Sequence, residues 1–195
     1  ICIFCHTPHN AAPATPLWNK ELQPVNYTLY ESSTLNPRTD ISQPTGPSRL
    51  CLSCHDGTIA LGKVLSSPTE INLTSRYIQT DLGTDISDDH PVSFHYSTSL
   101  PDEEFSPTLP SGLLFYDTDM VHCSTCHDPH DDTNGMFLAV DNRYSALCTK
   151  CHLKEGWSAT SHNLSSAAWN GAEPNPWPHN LRHSALHQWL TVHEN

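Results

Sequence analysis

The sequence has no run of apolar residues long enough to cross a membrane. A span needs about 20 such residues, whereas the best runs, Gly112–Tyr116 and Met136–Val140, have the length of a core segment. Basic residues are scarce too, since 9 Lys and Arg stand against 21 Asp and Glu, for a formal net charge of −12. This balance argues against a nucleic-acid partner, which requires basic patches. It also disfavours docking on an anionic membrane surface and favours positively charged partners.

Histidine and cysteine, by contrast, are abundant and ordered. The chain has 8 Cys and 14 His, and every cysteine belongs to a Cys-x-x-Cys-His motif. Two thiols three positions apart can bond the two vinyl groups of one haem, and the next imidazole then lies under the iron. We therefore predict four covalently bound c-type haems. Their attachment residues are Cys2, Cys5 and His6; Cys51, Cys54 and His55; Cys123, Cys126 and His127; and Cys148, Cys151 and His152.

Two other interpretations of these cysteines compete with haem attachment. Cys123, Cys126, Cys148 and Cys151 would suit a four-thiolate zinc site, and eight cysteines in an exported chain could form disulfides. Neither explains why histidine follows the second cysteine in every motif. With 14 His in 195 residues, four such coincidences have a probability of about 3 in 100,000 as a test of the motif. Haem attachment is the interpretation that accounts for both residue types.

The composition predicts an unusual fold. Only 36% of residues are apolar and 16 are proline, which leaves little apolar surface to offset the entropy of folding. We expect a mostly irregular chain with a few short α-helices and minimal β-structure, wrapped around a haem stack that supplies the missing apolar surface. The expected arrangement is one tetrahaem unit over residues 1–195, with two halves, 1–115 and 116–195, of two haems each.

A few segments show signals for regular structure. Short strands are expected near Tyr27–Tyr30, residues 91–95 and residues 113–116. Gly57 should end a single helical turn at the second motif. Helices are expected over Asn142–Glu155, with Gly156 as its C-cap, and over Leu181–His193.

Ten histidines remain after the four proximal ligands, more than four irons need. Six-coordinate, bis-histidine haems are the natural interpretation. His9 and His130 each lie three positions after a proximal histidine in a C-H-x-P-H sequence, too near to reach the far face of that haem but able to ligate a second iron alongside. His95 competes with His90 for one site, and His122 is expected to have another role. The four preferred distal ligands are His9, His90, His130 and His162.

These motifs and their flanks resemble a known family. C-I-F-C-H-T-P-H-N-A, C-L-S-C-H-D-G-T, D-H-P-V-S-F and C-S-T-C-H-D-P-H followed by L-C-T-K-C-H, spread over residues 1–165, are similar to tetrahaem extracellular cytochromes with doubled C-x-x-C-H motifs. Such cytochromes polymerise into conducting filaments in metal-respiring microbes. The resemblance implies a homopolymer with an unbroken haem chain, in which His9 coordinates the haem of His152 in the adjacent subunit.

The expected function is therefore electron transfer, not catalysis. The expected location is extracellular or at the cell surface, because haem attachment follows export and the chain looks processed. Redox proteins or extracellular acceptors are the expected further partners. A monomeric periplasmic tetrahaem shuttle is the first alternative. A multihaem reductase is the second, although it would need a five-coordinate haem, and all four motifs end in histidine.

Overall fold

The computed structural model describes residues 2–13, 15, 17–33, 35–36, 40–71 and 81–159. Contacts divide the chain into two compact units. The first is drawn from Ile1–Ser32 and Ser42–Ser93, and the second from Ser33–Ile41 and Phe94–Asn195. Each unit contains two of the four motifs. The boundary between the units thus follows Ser93, earlier than the division expected near residue 115, and the single tetrahaem unit stays a prediction.

Irregular backbone dominates the described residues, which confirms the expected fold class. The regular elements are α1 (Gly46–His55), α2 (Cys123–Cys126), β1 (Phe94–His95), β2 (Met120–Val121) and five 3-10 turns at Cys2–Phe4, Tyr96–Ser99, Arg143–Ser145, Cys148–Lys150 and Trp157–Ala159. Strands β1 and β2 pair antiparallel, with Phe94 opposite Val121. No described helix is both long and apolar enough to span a membrane.

The first unit is organised around α1. Pro47 lies in its first turn, where a fixed φ suits the helix and no amide hydrogen is needed. Tyr27, Leu52 and Ile86 form the small buried core. At the end of the helix, the Tyr27 hydroxyl donates to Asp56 Oδ2 at 2.6 Å, and Gly57 has a φ of +71°. The helix is longer than the single turn expected, but it ends where Gly57 predicts.

The second unit has an equally small core of Phe94, Tyr96 and Val121. The helix expected over Asn142–Glu155 is wrong, because only the short turns at 143–145 and 148–150 form there. Tyr144 and Ser145 have φ of 56° and 60°, and the Asn142 side chain accepts a hydrogen bond from the Leu147 amide at 3.1 Å. Asn and Asp side chains compete in this way with the helical backbone pattern.

The remaining expectations for regular structure have mixed outcomes. Near Tyr27–Tyr30, Thr28 forms one isolated bridge with Asp85. The strand near residues 91–95 is confirmed as β1, whereas the segment 113–116 contributes only a bridge at Tyr116. The helix expected over 181–193 lies outside the described residues.

Candidate haem-attachment sites

All four Cys-x-x-Cys-His motifs fold as a helical turn. The histidine amide donates to the carbonyl of the first cysteine in three of them, and the second motif, Cys51–His55, forms the last turn of α1. The three distances are 2.7 Å for His6 to Cys2, 2.9 Å for His127 to Cys123 and 3.0 Å for His152 to Cys148. Side chains at i and i+3 leave a helical turn on the same side. Both thiols of each motif can therefore face one porphyrin edge.

Three of the proximal histidines also lie each in a short antiparallel bridge of the same kind. His6 is opposite Trp18, His127 opposite Leu138 and His152 opposite Phe105. In each case the amide of the residue after the histidine donates to the carbonyl of the residue before its partner. The amide of the residue after the partner donates to the carbonyl of the second cysteine. The distances are Thr7 to Leu17 2.8 Å, Asn19 to Cys5 2.9 Å, Asp128 to Phe137 2.7 Å, Ala139 to Cys126 2.9 Å, Leu153 to Glu104 2.6 Å and Ser106 to Cys151 2.8 Å.

This hydrogen-bond pattern brings a bulky apolar side chain beside each of the three imidazoles. Residues opposite each other between two such bonds form a non-hydrogen-bonded pair, whose side chains are closest. The His6 and Trp18 rings meet edge to face with centroids 5.9 Å apart, and those of His152 and Phe105 are 4.5 Å apart. The cross-strand partners thus restrict the orientation of the rings. At the second motif, the Leu82 amide donates to the His55 carbonyl at 2.6 Å.

His127 shows which ring nitrogen is available for iron. Its Nδ1 lies 3.0 Å from the Met136 carbonyl oxygen, and a carbonyl can only accept, so Nδ1 carries the hydrogen. The opposite nitrogen, Nε2, is then the one with a lone pair. A metal-bound histidine commonly has its second nitrogen held in this manner.

The thiols lie in surroundings that suit a neutral thioether better than a thiolate. Burial raises the pKa of Cys126 to about 12 and those of Cys148 and Cys151 to about 11. Cys148 and Cys151 add to the increase at Cys126, so the two motifs of the second unit are neighbours. Cys5 likewise raises the pKa of Cys54 in the first unit, after the larger effect of burial.

The two other interpretations of the cysteines find no support. No disulfide joins any of the eight cysteines, all of which lie in the described part of the chain. Within the same residues, no three His, Cys, Asp or Glu side chains come together as metal ligands would. A four-thiolate zinc site would require such a group of deprotonated cysteines.

Large apolar side chains are exposed inside or beside the motifs. Ile3 lies within the first motif, Leu153 follows the fourth, and Met136 and Phe137 adjoin the bridge at His127. Their exposures are 46%, 49%, 66% and 47%. Such a surface is typical of a site that another apolar group covers. A porphyrin attached at the neighbouring thiols fits this surface.

Comparison with known proteins agrees with this geometry. A family model described as doubled CXXCH motif matches residues 117–156, which contain the third and fourth motifs. The chain carries a doubled haem c attachment motif. Covalently bound haem c supplies reversible one-electron chemistry, so electron transfer is the general function of such motifs. No curated protein matches the chain.

The two C-H-x-P-H segments present their second histidines on equivalent turns. The Thr7 hydroxyl accepts from the His9 amide at 3.3 Å, and Asp128 Oδ1 accepts from the His130 amide at 2.9 Å. Both histidines are exposed. The residue after each proximal histidine therefore fixes a turn that directs a second imidazole toward solvent.

His90 and His95 fall in different units. His90 is half-buried in the first unit, with Nδ1 2.8 Å from the Pro91 carbonyl oxygen, and burial lowers its pKa. His95, in the second unit, has Nδ1 2.6 Å from Asp119 Oδ1. His122 is buried at the N-terminus of α2, where it forms a capping box with Thr125. The preference for His90 as a ligand stays a prediction, and His162 lies outside the described residues.

The segment Trp18–Lys20 contacts both motifs of the first unit, a role that the sequence did not predict. Trp18 Nε1 donates to Ser53 Oγ at 3.1 Å, inside the second motif. Asn19 Nδ2 donates to the Ile3 carbonyl at 2.5 Å and to Ser66 Oγ at 2.8 Å. Asn19 and its neighbour Lys20 are completely buried. Their partners are 16 to 47 residues away in the chain, and no local pattern indicates such contacts.

Proposed function

We propose that this chain transfers electrons through four covalently bound, bis-histidine c-type haems, as the subunit of a polymeric extracellular filament. The observation that carries the proposal is the repeated attachment turn, present four times and grouped two to a unit. Two neighbouring attachment sites in each unit favour haem pairs at close approach. Close haem pairs are what an electron conduit needs.

The histidines favour electron transfer over catalysis. His6, His55, His127 and His152 supply the proximal ligands, and His9, His90, His130 and His162 the distal ones. Iron with two imidazole ligands has no open position for a substrate. We therefore propose no enzymatic activity for the four haems.

His9 is the proposed link between subunits. It cannot turn back to the far face of the haem attached three residues earlier, and its turn directs it into solvent. Ligation of the haem at His152 of an adjacent subunit would continue the haem chain from molecule to molecule. His130, on the equivalent turn, is the proposed ligand within the molecule.

The formal charge of −12 bears on the partners outside the polymer. An acidic subunit attracts positively charged redox proteins or acceptor surfaces at long range. We place the protein outside the cell or at its surface, with a periplasmic shuttle as the alternative that the following experiment distinguishes.

The experiment compares His9→Ala with His130→Ala in the holoprotein. Each variant should retain four haems by the pyridine haemochrome assay and acquire one high-spin haem, because each loses one axial ligand. Only His9→Ala should abolish filaments in negative-stain electron microscopy. Added imidazole should restore the low-spin spectrum of His9→Ala without restoring filaments. Small particles only in the wild type, or filaments that persist in His9→Ala, would contradict the proposed polymer.

A further inference from the structure

Lys20 is the one buried lysine or arginine among the described residues, with 0% of its surface exposed. Its Nζ donates to the carbonyl oxygens of Ala60, Leu61 and Lys63 at 3.1, 2.5 and 2.8 Å. Lysine is almost never fully buried unless its charge is compensated. The three carbonyls provide that compensation.

The same hydrogen bonds determine the protonation state of Lys20. Three carbonyl oxygens can only accept, so Nζ must provide three N–H donors. An ammonium group has three, whereas a neutral amine has two and would direct its lone pair at an oxygen. Burial lowers the pKa of Lys20, and the nearby Cys54, Cys5 and Glu70 act against that decrease. The geometry requires the charged form.

This charge lies where it acts on both attachment sites of the first unit. Lys20 lowers the thiol pKa of Cys5 and of Cys54, against the larger effect of burial at each. Asn19 holds the segment in place, since its amide donates to the Cys5 carbonyl at 2.9 Å and its carbonyl accepts from the Leu65 amide at 3.0 Å. A fixed positive charge is thus built between the first and second motifs.

We propose that the charge of Lys20 raises the reduction potentials of the two haems of the first unit. Ferric haem carries one more positive charge than ferrous haem, so a nearby ammonium group favours the reduced state. The interaction is strong because Lys20 is buried, where the effective dielectric constant is low. The inference rests on the proposed function in one respect, because it requires haems at Cys2 and Cys5 and at Cys51 and Cys54.

The second unit offers a contrast within the same molecule. Its described lysines, Lys150 and Lys154, are not buried. Lys150 donates to a single carbonyl, that of Ser111, at 2.9 Å, and Lys154 pairs with Glu104 at 2.7 Å. Solvent screens charges in such positions. Lys20 would therefore separate the potentials of the two haem pairs and bias where electrons reside along the chain.

The test is spectroelectrochemical titration of the holoproteins Lys20→Gln, Lys20→Arg and Lys150→Gln. Glutamine keeps two N–H donors but removes the charge, and arginine restores the charge. At the midpoint potentials of the wild type, the reduced-to-oxidised ratio of the two haems of the first unit should fall in Lys20→Gln on the order of tenfold. Lys20→Arg should titrate like the wild type, and Lys150→Gln should leave those two haems unchanged.

The haem count separates the possible failures. Four haems with an unchanged titration of Lys20→Gln would overturn the role of Lys20 alone. Two haems in the wild type would overturn the tetrahaem proposal and this inference with it. Should the Lys20 variants fail to fold, ¹⁵N NMR of the reduced wild type decides the charge at neutral pH. An Nζ signal with three attached protons is expected, and a neutral amine would overturn the inference.

Discussion

Individual residues beside the motifs set the environment of three of the four histidines proposed as proximal haem ligands. Trp18, Leu138 and Phe105 contribute cross-strand side chains to three proximal imidazoles, and Met136 fixes the tautomer of His127 through its carbonyl. The attachment residues themselves are local in sequence, and their four motifs could be identified directly. Their supports are contacts between distant segments, which a single sequence does not display.

The pair formed by His95 and Asp119 should make stability depend on pH. The Asp119 hydrogen bond is the main cause that raises the pKa of His95. Burial opposes the decrease at Asp119, but hydrogen bonds from Ser97 and His95 together lower its pKa below 3.8. The pair therefore stabilises the fold fully between about 3.9, the unfolded value of aspartate, and about 6.5, the unfolded value of histidine. Its contribution is lost as pH rises through the raised pKa of His95.

We expect Asp119→Asn to lose stability relative to the wild type most strongly at about pH 5 and least at about pH 8. Urea unfolding of both holoproteins across this range measures the difference. Asp117→Asn is the matched control, because Asp117 acts on His95 only through its charge. A difference that does not vary with pH would contradict the ion pair. It is the result to expect if His95, and not His90, is an axial ligand.

At the scale of elements, the fold class could be predicted and the boundaries could not. Many prolines and few apolar residues exclude long helices and sheets, and the irregular backbone follows from that. Residues 142–155 have helical periodicity, yet Asn142 and Asp141 bind nearby amides and the turn at Cys148–Lys150 starts anew. Helix α1, conversely, begins at Gly46, five residues before its motif, because the core around Leu52 supports a longer element than the motif requires.

The loop that follows the second motif depends on glycine at position 62. Gly62 is buried, and its carbonyl accepts from the Ile71 amide at 2.9 Å. A Cβ at Gly62 would overlap the Ile71 carbonyl oxygen, a backbone atom that cannot rotate away. We expect Gly62→Ala to lower the free energy of unfolding by about 3 kcal/mol, at the upper end for overpacking. The thermal unfolding of the holoprotein measures this.

Gly135→Ala provides the control for that substitution. Gly135 has a φ of +75° and no atom within 4 Å of an added Cβ, so alanine there meets only left-handed backbone strain of about 1–2 kcal/mol. Equal costs at the two positions would show that the contact with Ile71 is unimportant. Alanine at position 62 should also displace the neighbouring carbonyls that bind Lys20.

For the whole molecule, the size of the core is the reason to expect that haem attachment contributes to folding. The described residues form two separate clusters, each with only three buried apolar side chains, and Met136, Phe137 and Tyr144 remain 47–68% exposed. Cores of this size cannot offset the conformational entropy of so many irregular residues. Composition alone predicted this shortage, although it could not predict that the core would be divided between two units.

We therefore expect the polypeptide produced without haem attachment to lack a cooperative thermal transition and to show poorly dispersed amide NMR signals. Covalent haem adds apolar surface to each unit at about 25 cal/mol per Å² buried, and thioether bonds keep that surface in place. The double variant Cys123→Ala, Cys126→Ala is the matched intermediate. It should lose one haem and destabilise the second unit, while hydrogen exchange in the first unit changes little. A haem-free chain that unfolds cooperatively would show that the protein core suffices for folding and that the haems are not a necessary part of the core.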